Sequence, residues 1–186
     1  MRRDDWGGTG YNQPMKGRPD PSEAAQYYFT YINQVTGDRP LASIRNQLDK
    51  YLPLLKRILE EQSRYRYAEG KWSIRQVLNH VTDTERAFTF RALWFARGFD
   101  SPLPSYDQEI AAANAKADAI SWVAHVEEFT QVRRATISLF QNLPAEAWMR
   151  KGIASDNPFT VRALAFIIPG HAEHHFRILR EKYLPS

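Results

Sequence analysis

The sequence contains no cysteine, which excludes disulfides, a thiolate nucleophile and any zinc site built on sulfur. A bound metal must therefore use histidine or carboxylate. No apolar run approaches the roughly 20 residues that a membrane-spanning helix needs, so no membrane partner is expected. Met1-Arg2-Arg3 leads into Asp4, Asp5 and glycines where an export signal requires an apolar stretch, and a cytoplasmic location is the expectation. Positive charge is not concentrated either. The net +4 comes from Lys and Arg scattered along the whole length, without the basic stripe or aromatic platform of a nucleic-acid binder, and no nucleic-acid partner is expected.

With 186 residues, 43% of them hydrophobic and 13% aromatic, the chain can build one core of ordinary size. Residues 1–22 carry Gly7, Gly8, Gly10, Pro14, Gly17, Pro19 and Pro21 with little periodicity, and read as an irregular N-terminal arm, mobile or draped over the domain formed by 23–186. Convincing strand patterns are almost absent. Leu41, Ile44, Leu48, Leu52, Leu55 and Ile58 recur at threes and fours up to about Gln62, as on one helix face, with Pro53 expected to bend that helix or displace its start. A second helix opens on Ser73, with Gln76 completing a capping box, and stops at Gly98. A polar loop, with at most a short helical turn, precedes a third helix over about 121–142. The fourth is capped by Thr160 and reaches about Tyr183. The fold class is all-α, a four-helix bundle whose connections permit antiparallel neighbours.

Histidines stand at 80, 125, 171, 174 and 175. At about 100° per residue, His171 and His175 lie about 40° apart on the apolar side of the fourth helix, with Leu164, Ile168, Ile178 and Leu179. His174 lies toward the edge of that face and Glu173 points away. Burying an unsatisfied polar ring costs on the order of 1–3 kcal/mol, so the pair needs hydrogen-bond partners or a shared metal ion. His80 flanks the apolar stripe of the second helix and is the candidate third ligand, placed to reach a site between helices. Glu85 falls near the middle of that stripe, which leaves three roles open. It can be a fourth ligand, an acceptor for an imidazole N–H or the partner of Arg91 or Arg133, and the last two are favoured. His125 has no companion and is left out of the site. Three neutral imidazoles suit zinc, nickel or ferrous iron and leave coordination positions open. Because Ala172 follows His171, the glutamate of an H-E-x-x-H protease is missing. Pro169 removes a hydrogen bond to Ala165 and permits a kink ahead of His171.

The segments K-W-S-I-R-Q-V-L-N-H-V-T-D-T-E-R and A-F-I-I-P-G-H-A-E-H-H-F-R-I-L resemble the DinB superfamily, and the similarity runs from about Pro21 to the C-terminus. The resemblance implies a four-helix bundle in which a histidine of helix two and a His-x-x-x-His pair of helix four hold zinc or nickel; here these are His80, His171 and His175. It also implies either a metal-dependent hydrolase of a small-molecule substrate or a thiol-dependent S-transferase or isomerase using a bacillithiol- or mycothiol-type cofactor. A third reading is a non-catalytic, stress-related module stabilised by its metal. Glu85, Arg91, Trp94, Tyr106, Asp107 and His174 are candidates for the surrounding pocket, and the family's habits suggest a homodimer.

Overall fold

The computed structural model of the chain describes residues 17–184. Its helices are α1 (Phe29–Ile32), α2 (Pro40–Arg57), α3 (Ile74–Ala96), α4 (Gln108–Ala115), α5 (Trp122–Gln141) and α6 (Val161–Ile178), followed by a π-helical turn over Leu179–Tyr183. The long helices α2, α3, α5 and α6 form the bundle. None is long and apolar enough to cross a membrane among the described residues.

The capping chemistry sets the starts. Ser73 Oγ accepts the Gln76 N–H at 3.1 Å while Gln76 Oε1 accepts the Ser73 N–H at 2.9 Å, and Thr160 Oγ1 accepts the Ala163 N–H at 3.0 Å. These two orphan helix ends are thereby satisfied. Pro53 leaves α2 continuous from Pro40, and the helix ends at Arg57, short of Gln62; Gln62–Arg64 form a separate 3-10 turn. The near absence of strands needs correcting. β1 (Lys151–Ala154) and β2 (Asn157–Thr160) make an antiparallel hairpin, turned by Ser155 and Asp156 with φ of 51° and 58°. Two successive positive φ values give the twist that short hairpins favour. The hairpin lies over α3 so closely that a Cβ on Gly152 would meet the Phe95 ring at 2.1 Å.

Of the consecutive long helices only α3 and α5 pack extensively together. α2 packs on α5 and α6, and α3 packs on the same two, so α2 faces α3 across one diagonal and α5 faces α6 across the other. The connections 58–73 and 142–160 are long enough to cross the bundle. Two apolar clusters fill it, one centred on Phe88, Phe95, Phe159 and Phe166, the other on Tyr51, Leu78, Phe129 and Phe176.

Between the clusters each long helix contributes one polar group. Arg133 of α5 brings Nε to 2.9 Å from Glu85 Oε2 of α3. Its Nη1 donates to Gln47 Oε1 of α2 at 3.2 Å, and Gln47 Nε2 donates to the Pro169 carbonyl of α6 at 2.8 Å. The ion pair meets at contact distance without hydrogen-bond alignment, since both Glu85 oxygens and Arg133 Nε and Nη2 lack a directed hydrogen bond. Burial raises the Glu85 carboxyl and lowers the Arg133 guanidinium, and each partner opposes the shift of the other.

The segment before α2 is bound to α6. Glu23 accepts from Thr160 Oγ1 at 2.7 Å and Arg162 Nε at 3.0 Å, and Arg18 donates to the Ile32 and Val35 carbonyls at 2.9 and 2.7 Å. Gly170 lets α1 lie directly on α6, because a Cβ there would stand 2.1 Å from the Tyr31 carbonyl oxygen.

Removing one member of a buried ion pair strands the other. Arg133→Met is expected to lower stability by about 3–5 kcal/mol, and Glu85→Leu/Arg133→Met to recover most of that loss. Urea unfolding of the three proteins checks this, and equal midpoints for the single and double variants would mean that Glu85 is not felt as a buried charge.

Candidate metal centre

The packing of α3 against α6 places His80 beside His171 and His175. His171 Nε2 lies 3.1 Å from His80 Nε2 and 3.1 Å from His175 Nε2, and the three ligand atoms all fall within 4.8 Å of one another. As hydrogen bonding this is poor, since His171 Nε2 has one proton or one lone pair to share between two neighbours. As a ligand set it is apt. A tetrahedral ion with metal–nitrogen bonds of about 2.0–2.1 Å holds its ligand atoms about 3.3 Å apart, close to the 3.1 Å that separates His171 Nε2 from each of its two neighbours.

The electrostatics agree with that use. Burial, with a smaller contribution from His174, takes His80 down to about 4. Burial also takes His175 to about 3, helped by His80 and His174. His171 is held well below the ordinary imidazole value by burial first, then by the neighbouring histidines and by Arg133. All three rings are therefore neutral near pH 7, with lone pairs available. Aromatic rings enclose them, with Trp72 centred 4.9 Å from His80 and Tyr31 5.3 Å from His171.

The remaining sequence candidates separate by position. Glu85 lies outside the histidine cluster, against Arg133. Glu173 points the other way and accepts from Tyr51 Oη at 2.6 Å. His174 is half-buried at the rim, its ring 5.0 Å from His175 and 5.7 Å from Tyr31. His125 is a satisfied core histidine, with Nε2 2.9 Å from the Ala117 carbonyl. Trp94 stacks on Phe99 at 4.2 Å and donates to the Ser101 carbonyl at 3.2 Å, which anchors the loop after α3. Asp107 caps α4 by accepting from the Glu109 and Ile110 N–H groups at 2.9 and 3.0 Å.

Arg91 and Tyr106 line a cavity of about 210 Å³ that ends at His171. Tyr27, Tyr28, Tyr31, Thr84, Gln108 and Ser155 complete its polar wall. Sequence reasoning missed these six. The one available signal was the crowding of Tyr27, Tyr28 and Tyr31, the first two of which lie in a 3-10 turn over Gln26–Tyr28 and the third in α1. A wider groove of about 530 Å³ adjoins the cavity across Ala87, Arg91 and Tyr106.

The family model described as the DinB superfamily matches residues 43–179 of this chain. The chain belongs to the DinB superfamily. The DinB match takes in His80, His171 and His175 and leaves out α1, so Tyr31 and its neighbours reach the centre from outside the matched span. The fold is similar to that of YfiT from Bacillus subtilis, described as a probable metal-dependent hydrolase with an unusual four-helix bundle topology. The TM-score is 0.63 at 15% identity, over 86% of this chain and 87% of that one. At that identity the likeness is one of fold. No protein of curated function matches this DinB chain.

In the metal-free protein His80, His171 and His175 are neutral when folded and titrate near 6.5 when unfolded, so unfolding takes up protons below that pH. Their contribution to stability is full above about 6.5 and is lost as the pH falls toward the depressed folded values. Urea midpoints in chelator are expected to decline between pH 6.5 and about 5, above the carboxylate range, with a shallower slope for His80→Gln. A flat profile would contradict the buried, neutral state of the three rings.

Proposed function

We propose that this DinB protein is a metal-dependent hydrolase acting on a small molecule, with His80, His171 and His175 holding one divalent ion, zinc or nickel before iron. The observation that carries the reading is the meeting of three neutral, largely enclosed imidazoles, one of which, His171, lines a cavity of about 210 Å³. The description of YfiT as a probable metal-dependent hydrolase supports the same class. When bound, a divalent ion supplies Lewis-acid polarisation and a more acidic coordinated nucleophile. The chain does the rest. Trp72 and Phe88 keep bulk water from the imidazoles, and the tyrosines and Arg91 form the wall on which a substrate is oriented.

One feature favours a second reading, thiol-dependent S-transfer. The cavity wall includes no aspartate or glutamate, so no resident carboxylate stands ready to take a proton from water. A thiol, with a pKa of about 8.5 against about 15.7 for water, depends far less on such a base.

Metal analysis by mass spectrometry, on protein purified without chelator or histidine tag, is expected to find about one zinc, nickel or iron per chain, lost in His80→Ala and in His171→Ala. Loaded protein is then assayed against ester and amide panels, and against electrophiles with a low-molecular-weight thiol. Absence of metal even after reconstitution sinks both readings, and turnover only in the presence of thiol replaces the first with the second.

A further inference from the structure

Arg91 is anomalous among the buried arginines. Arg75 and Arg133 each contact a carboxylate, Glu60 and Glu85 respectively. Arg91 is only 6% exposed, yet among the described residues no carboxylate lies within ion-pair distance of it. Its guanidinium is instead held in place by neutral groups. Nη2 donates to Ser155 Oγ at 2.8 Å and to the Pro104 carbonyl at 3.4 Å, and the Phe88 and Phe159 rings lie 5.6 and 6.0 Å from its central carbon. The Tyr28 hydroxyl stands beside the guanidinium as a further neutral neighbour. The group is thus fixed in position, stripped of most of its water and left without a counter-charge, an arrangement that is costly in the absence of an anion.

Its location says where that anion comes from. Arg91 lines both the cavity that ends at His171 and the groove that adjoins it. Phe88 packs against both groups, its ring 5.6 Å from the guanidinium and 6.2 Å from the His171 ring, so the guanidinium and the imidazole stand within about 12 Å of each other on one cavity wall. We propose that Arg91 is the receptor for a carboxylate on the substrate, and that the protein acts on small anionic molecules whose carboxylate rests on Arg91 while the reacting group faces the histidine cluster. This deepens the proposed function and rests on it. With Nη2 already donating to Ser155 and Pro104, the guanidinium offers its remaining N–H groups as single charge-assisted hydrogen bonds to a carboxylate oxygen, whereas a phosphate dianion is ordinarily met by more than one cation.

The test titrates the full chain, metal-loaded and metal-free, with malonate, with its neutral counterpart malonamide and with inorganic phosphate. It is followed by calorimetry and by the rise in melting temperature, with metal content measured on every sample. Wild type is expected to bind malonate saturably in preference to malonamide and phosphate. Arg91→Gln is expected to bind malonate at least about tenfold more weakly at unchanged metal content, with Arg91→Lys between the two. Equal binding of malonate and malonamide by wild type overturns the proposal and does not depend on whether a variant folds. So does preference for phosphate, or undiminished malonate binding in Arg91→Gln, which would leave the metal as the anion's only partner. Protein that lacks metal but binds malonate through Arg91 would count against the hydrolase reading and leave the receptor standing.

Discussion

A guanidinium buried at the middle of a helical bundle is tolerated only if its neighbours arrange themselves around it, and Arg133 imposes that demand on all four long helices. Glu85 meets it from α3, Gln47 from α2, and the Pro169 carbonyl closes the chain from α6. Apolar side chains above and below this layer can slide by a turn at modest cost, but a polar layer has one register in which its groups meet. The layer ends two residues before His171. Whatever fixes the height of Pro169 also fixes the height of the histidine pair relative to His80, so the ion pair in the core is a positioning device for the candidate metal centre.

The same charge contributes at a distance. Arg133 is among the groups that depress His171, after burial and the other histidines, and so helps to keep that ring in the form a metal requires. Arg91 lines the cavity that also reaches His171, and Phe88 packs against both. The cluster therefore has one guanidinium, paired with Glu85, acting on it from the core and a second in the wall of the adjoining cavity.

Much of this was legible in the sequence because it depends on local spacing. The capping pair Ser73 and Gln76 and the cap Thr160 act over three residues, and the structure shows both. The phase of His171 and His175 follows from helical geometry, as does the central position of Glu85. What the spacing leaves open is the identity of groups that meet across the fold. Arg133 and Arg91 were equal candidates for Glu85, and helix packing alone distinguishes them. The hairpin was missed because its strands have four residues each and its turn uses Ser155 and Asp156 without glycine. The tyrosine wall was missed because α1 is a single turn whose place depends on the absence of a side chain at Gly170.

The diagonal arrangement of the helices bears on how the chain acquires its structure. In an up-and-down bundle each helix finds its partner next along the chain, and hairpins form early at small entropic cost. Here α2 has no sequential neighbour to pack on and must wait for α5 and α6, and α3 likewise closes on α6 only after the segment between them has been traversed. The contacts of α2 with α5 and α6 thus close long stretches of chain, at a loop-closure cost that hairpins between sequential helices avoid. The arrangement also ties α2 and α6, the first and last of the long helices, into one cooperative unit, since neither α2 with α3 nor α5 with α6 forms a packed pair.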